Sequence, residues 1–246
     1  MDHDDAQVGR LLTRREALAV MGSTALLVLA GSSRRLFVPA AAQSGPVPSC
    51  VVRPQQTEGP YFVDEKLNRT DIRSDPSDGA VKPGAVLALT FNVSRLVSGT
   101  CTPLPGAYVD VWQCDALGVY SDVTDPRFNT RGKRFLRGYQ VTDAGGAARF
   151  VTIYPGWYQG RTVHIHFKIR SAPSARPGYE FTSQLYFDDT LTDRVHAQQP
   201  YAAKGRRTVR NEGDGIFNQG GAQLLLPVEQ DGAGYKGTFS VALQGI

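Results

Sequence analysis

Residues Val163 to Ile169 alternate strictly: Val163, Ile165, Phe167 and Ile169 interleave with His164, His166 and Lys168. A period of two defines a half-buried β-strand, in which residues two apart share a face. The apolar set therefore meets a core, and both imidazoles stand side by side on the other face. The chain has only four histidines. Two of them placed together make a candidate metal site, because neutral imidazole is the commonest metal ligand. Solvated or hydrogen-bonded imidazoles are the bland alternative.

The same period recurs along the chain. Leu87, Leu89, Phe91 and Val93 alternate with Ala88, Thr90 and Asn92. A second strand is AYVDVWQCD, Ala107 to Asp115, closed by the turn-like DALG. RFVTIY from Arg149 follows the turn DAGG, and TSQLYF from Thr182 and YKGTFSVAL from Tyr235 complete the set. Short strands between Gly, Pro and Asp turns predict an all-β fold, an antiparallel β-sandwich with long active-site loops. The 26 Gly, 15 Pro and 41% apolar residues suit a loop-rich β protein with a real core. No stretch has the length and period of a strong helix. Thr192 to Pro200 reads as a loop, with His196 exposed to solvent. No second domain or internal repeat is visible. A net charge of +4 without a long basic run beyond the N-terminus argues against nucleic acid as a partner.

The N-terminus reads as a targeting segment. Arg14 and Arg15 precede an apolar, small-residue run from Ala17 to Gly31, too short for a comfortable membrane span, and AAAQ at Ala40 to Gln43 offers a cleavage site. The pattern resembles a twin-arginine export signal. The expected organisation is a cleavable signal over 1–42, a linker over 43–56 and one β-sandwich domain over 57–246. Periplasmic or extracellular localisation and no stable membrane span after processing follow from it. Export permits disulfides, and of Cys50, Cys101 and Cys114 the expected pair is Cys50 with Cys101, Cys114 lying in a strand-like run.

Several ligand sets could complete a two-histidine site. A carboxylate within a few residues, as in cupin-like patterns, is missing from FKIRS. A three-histidine zinc site would need His196. A two-histidine, one-carboxylate iron(II) site could recruit Asp110, Asp188 or Asp189. Tyrosines are the fourth option. Their phenols ionise near pH 10, but a trivalent ion stabilises the phenolate directly. Two tyrosinates, two neutral imidazoles and a hydroxide balance a 3+ ion, avoiding an uncompensated buried charge.

TEGPYF from Thr57, PLPGAYVDVWQCDALGVYSD from Pro103, YPGWYQGRTVHIHFKI from Tyr154 and TSQLYF from Thr182 occur in this order. Together they resemble the intradiol ring-cleavage dioxygenases, the protocatechuate 3,4-dioxygenase and catechol 1,2-dioxygenase family, from Thr57 onward. The resemblance implies Fe(III) held by Tyr120, Tyr158, His164 and His166. It implies Arg161, Tyr158 and Gln184 as catalytic residues, with Tyr158 the departing ligand that accepts a proton. Pro60, Tyr61 and Trp157 are the expected pocket residues. PGWY matches the family's Pro-Gly-x-Tyr and selects Tyr158 over Tyr154, which is expected in the core. The implied reaction joins O2 to a catechol-type diol and opens the ring between its two hydroxyl-bearing carbons, giving a cis,cis-muconate-type dicarboxylic acid. Which catechol is used is not implied, and a homo-oligomer is compatible with the family. PLPGAYVDVW and TDAGGAARF also resemble transthyretin-like β-sandwich modules that bind without catalysis, a rival that leaves Arg161 and the Tyr/His cluster unexplained.

Overall fold

The computed structural model describes residues 51–246. The expected signal segment and Cys50 lie outside the described residues. Strands form at β1 (Val86–Val97), β2 (Thr100–Pro103), β3 (Tyr108–Trp112), β4 (Thr124–Asp125), β5 (Phe128–Asn129), β6 (Arg137–Val141), β7 (Ala147–Ile153), β8 (His164–Arg170) and β9 (Glu180–Tyr186). A helix α1 (Asp189–His196) follows, then β10 (Val228–Asp231) and β11 (Gly234–Gln244). One sheet runs β10-β11-β1-β2, with β7 also paired to β1; the other runs β6-β3-β8-β9; β4 and β5 form a small hairpin.

The alternating residues build the core as expected. Leu87, Leu89, Phe91 and Val93 of β1 are buried, as are Ile165, Phe167 and Ile169 of β8 and Phe239, Val241 and Leu243 of β11. Phe91 and Phe167 meet across the two sheets with ring centroids 5.1 Å apart, and Phe167 meets Phe239 at 5.7 Å. Each such ring contributes roughly 1.5–3 kcal/mol by leaving water. The fold is therefore an all-β sandwich. Its sheets are not purely antiparallel: β1 and β11 pair in parallel, Phe91 opposite Phe239.

Two further expectations change. β8 is buried on both faces, not one, because the face carrying His164, His166 and Lys168 is covered by loops. The stretch expected as loop contains α1. Asp188 caps it by accepting from the Leu191 amide at 2.8 Å, and Arg207 and Arg210 clamp Asp189 and Asp193 from downstream. His196 sits at its end, 8% exposed, stacked on Tyr201 with centroids 5.0 Å apart and bonded to the Pro155 carbonyl. Residues 51–56 lie against the domain: Val52 bridges Ala242, and Gln56 donates to the Ile216 carbonyl. Cys101 is disulfide-bonded and Cys114 is free and buried; the partner expected for Cys101, Cys50, lies outside the described residues. Among the described residues no helix is long and apolar enough to cross a membrane.

Candidate metal centre

The polar face of β8 and the loops over it bring four side chains to one point. His164 Nε2 lies 3.0 Å from His166 Nε2 and 3.2 Å from the Tyr158 hydroxyl. With metal–nitrogen bonds of about 2.1 Å, such separations are those of neighbouring ligands on a single ion. His164 Nδ1 is 2.7 Å from the Thr162 carbonyl. A carbonyl only accepts, so Nδ1 carries the proton and Nε2 presents its lone pair to the cluster. Burial, then the Arg161 charge, pushes His164 far below the ordinary imidazole range. Burial, then His164 and the Arg161 and Arg137 charges, does the same to His166. Both rings are neutral at physiological pH, the form that binds metals.

His166 is held by packing. Its ring stacks on Trp112 with centroids 5.0 Å apart and planes 9° from parallel, and Phe62 packs on Trp112 in turn at 4.8 Å. Gly59 closes the other side. Its φ of +73° suits glycine, and a Cβ there would stand 3.1 Å from His166 Cε1.

Tyr120 is 1% exposed, and its hydroxyl makes no hydrogen bond of ordinary geometry. Burial, then the neighbouring Tyr158, pushes its phenol well above the usual value. A buried phenol of this kind ionises only toward a strong local cation, and an orphaned oxygen beside two neutral imidazoles fits a metal ligand. Tyr120 and Tyr158 rings lie 5.8 Å apart, and Tyr120 is 6.1 Å from His166. Two loops meet to place these tyrosines. Gly118 has φ +77°, and a Cβ on it would come within 2.2 Å of the Trp157 carbonyl; one on Gly156 would come within 2.4 Å of the Ala116 carbonyl. Only glycines allow the turn before Tyr120 to pack backbone to backbone against the loop before Tyr158.

The other ligand sets do not assemble. Asp110 pairs with Arg170 at 2.7 Å, Asp188 caps α1, Asp189 pairs with Arg207, and His196 is engaged with Pro155. Among the described residues no three His, Cys, Asp or Glu side chains gather as a metal site. Tyr154 lies in the core, fully buried, its hydroxyl 2.7 Å from Thr192.

Arg161 and Gln184 flank the cluster. Gln184, opposite His166 on β9, accepts from Arg161 Nη2 at 2.6 Å and donates to the Thr57 carbonyl at 3.0 Å. Burial opposes the Arg161 charge, but Tyr158 and Asp214 outweigh it and raise its pKa. The segment 57–62 crosses the site as a strap. Tyr61 stacks on Tyr120 at 4.4 Å and donates to Asp125 at 2.7 Å, and Lys168 joins Glu58 and lies 4.2 Å over the Phe62 ring. Of the expected pocket residues, Tyr61 reaches the tyrosine pair and Pro60 is exposed in the same strap. Trp157 instead donates to the Gly205 carbonyl at 3.2 Å, beneath Lys204.

Sequence reasoning passed over Gly59, Trp112 and Asp214. The first two lie inside the quoted motifs, where their contacts were not visible. Asp214 lies in the aperiodic stretch NEGDGIFNQ, and only the fold brings it to Arg161.

The chain as a whole is similar to known proteins. A family model described as Dioxygenase matches residues 57–207, and the chain belongs to the intradiol ring-cleavage dioxygenase family. It is 32% identical over 159 residues to a protocatechuate 3,4-dioxygenase beta chain from Burkholderia cepacia, covering 60% of this chain and 66% of the other. It is 32% identical over 169 residues to a catechol 1,2-dioxygenase from Candida albicans, covering 56% and 49%. It therefore spans less than two thirds of the length of these curated relatives. In structure it resembles an intradiol ring-cleavage dioxygenase from Tetranychus urticae, with TM-score 0.68 and 31% identity over 80% of this chain and 96% of that one. The two fragments that suggested a binding module are strand β3 and the turn into β7, parts of the same sandwich.

Proposed function

We propose that the chain is a non-haem iron(III) dioxygenase that joins O2 to a catechol-type diol and opens the ring between the hydroxyl-bearing carbons, giving a cis,cis-muconate-type dicarboxylic acid. The observation that carries this reading is the convergence of two neutral imidazoles and two buried phenols, the Tyr120 oxygen having no hydrogen bond of ordinary geometry. Tyr120, Tyr158, His164 and His166 would hold the ion. Fe(III), when bound, supplies Lewis acidity that favours the diolate and makes its ring nucleophilic toward O2.

The protein's own groups do the rest. The Thr162 carbonyl and the Trp112 ring fix the two imidazoles, so the ligand set is preorganised. Tyr158, whose hydroxyl lies 3.2 Å from His164 Nε2, would be the departing ligand that takes a proton from the incoming diol. Arg161 then faces the negative charge that develops on the substrate, in a site where burial strengthens the interaction. Gln184 holds Arg161 from one side and the strap from the other. Tyr61 covers Tyr120 and keeps bulk water from it.

The test is the visible spectrum of the purified protein loaded with iron(III), before and after catechol is added without oxygen. A tyrosinate charge-transfer band that moves on adding catechol is expected. A protein that stays colourless with stoichiometric iron sinks the reading.

We also propose export of the folded chain through the signal at 1–42, a reading supported by the disulfide at Cys101, since such bonds persist in oxidising compartments. Replacing Arg14 and Arg15 together with Lys should leave the unprocessed protein in the cytoplasm of a bacterial host. Unchanged processing and export would refute twin-arginine targeting.

A further inference from the structure

The carboxylate of Asp214 is 1% exposed and all its contacts are directed. Oδ2 accepts from Arg161 Nε at 2.9 Å and from the Thr162 amide at 2.8 Å. Oδ1 accepts from the Ile216 and Phe217 amides at 2.8 and 3.0 Å. Three backbone donors thus hold the carboxylate still, and its remaining strong bond goes to the guanidinium. Arg161 has one other fixed neighbour, Gln184 Oε1 at 2.6 Å. Nε toward Asp214 and Nη2 toward Gln184 define the plane of the fork.

We propose that Asp214 is a positioning residue for the ring-opening reaction: it orients Arg161 so that the guanidinium meets the charge developing on the substrate. The inference rests on the proposed function and assigns a role to a residue that touches neither the ligand cluster nor the substrate. A buried arginine has many rotamers and would lose most of its value if free to turn from the reacting atoms. A carboxylate locked by three amides removes that freedom before substrate binds, and it balances a charge that would otherwise be buried alone. The Thr162 amide bond adds a second consequence. The same carboxylate fixes the residue whose carbonyl receives His164 Nδ1, so cation and ligand keep one frame.

The experiment is a double-mutant cycle on the iron-loaded enzyme with Asp214→Asn, Arg161→Leu and the pair. Asp214→Asn should lower kcat by about 10–100-fold, the usual cost of losing an outer-shell partner, with KM nearly unchanged. On the Arg161→Leu background the same change should cost less than about threefold, because neighbouring residues acting as a unit are not additive. Equal losses on both backgrounds, or a change confined to KM, overturn the proposal. If Asp214→Asn does not fold, Asp214→Glu keeps the charge and displaces it by one methylene; a fall in kcat is expected, and wild-type kcat overturns the proposal. A second readout needs no turnover. In the metal-free protein the Arg161 Nε–H resonance, assigned by its loss in Arg161→Lys, should exchange slowly in the wild type and at least tenfold faster in Asp214→Asn, as a buried hydrogen bond opens. Equal exchange overturns the positioning role even if the wild type turns over no catechol, whereas that absence of turnover alone refutes the reaction and leaves the exchange result standing.

Discussion

Replacing His164 with Ala should remove iron from the protein and with it all ring cleavage. The imidazole supplies one of four protein ligands in the proposed site, and its Nε2 lies within 3.2 Å of both His166 Nε2 and the Tyr158 hydroxyl. Loss of an outer-shell partner weakens metal binding by about 10–100-fold; loss of the ligand itself should exceed that. The fold should survive, because the core face of β8 is built from Ile165, Phe167 and Ile169, which point away from the imidazoles. Iron per chain measured by atomic emission after dialysis, with circular dichroism on the same sample, checks both halves. Added imidazole should restore part of the iron and part of the charge-transfer band. A His164→Ala protein that keeps one iron per chain and full activity would remove His164 from the ligand set.

His164 also shows why much of this site was legible. His-x-His on a period-two strand fixes both residue type and face within seven residues, so local sequence decides the geometry. The tyrosines are a different case. Neither Tyr120 nor Tyr158 announces itself by period, and only the order of four motifs singled them out. What joins them is the packing of glycine backbones at 118 and 156, a contact between distant segments. The same limit explains the other differences. The parallel pairing of β1 with β11 joins residues more than a hundred positions apart. α1 is short and polar, and it depends on Arg207 and Arg210 from a later loop, which no local pattern reports. His196 was expected in solvent because its neighbours are polar; Tyr201 and the Pro155 carbonyl bury it.

Non-local contacts also decide how the strap sits. Glu58, Gly59, Tyr61 and Phe62 each meet a different part of the site: Lys168, His166, Tyr120 and Trp112. The hairpin β4–β5 supplies Asp125, which receives the Tyr61 hydroxyl and pairs with Arg127. The Arg127 hydrogen bond, with that of Tyr61, holds the Asp125 carboxyl well below its usual range against the opposing effect of burial. The strap is thus fastened at several points around the tyrosine–histidine cluster.

Arg161→Leu should lower kcat by about 10²–10³-fold, the range seen when one preorganised charge-stabilising donor is removed from an active site, while leaving iron bound. Two effects have to be separated. Arg161 and Asp214 form a buried pair, 8% and 1% exposed at the side chain, and deleting one member of such a pair costs about 3–5 kcal/mol of stability. Asp214 keeps three amide donors, so the loss should fall toward the lower end. A urea titration of the variant gives that number directly. Arg161→Lys provides the control. It keeps a positive charge near Asp214 and should recover most of the stability, but lysine cannot bond Asp214 and Gln184 with one rigid fork. Its kcat should therefore remain well below wild type. Low kcat in both variants, with stability lost only in the leucine variant, assigns the catalytic effect to the orientation of the guanidinium. If kcat instead follows stability across the two variants, Arg161 is a structural ion-pair partner and some other group must meet the charge on the opening ring.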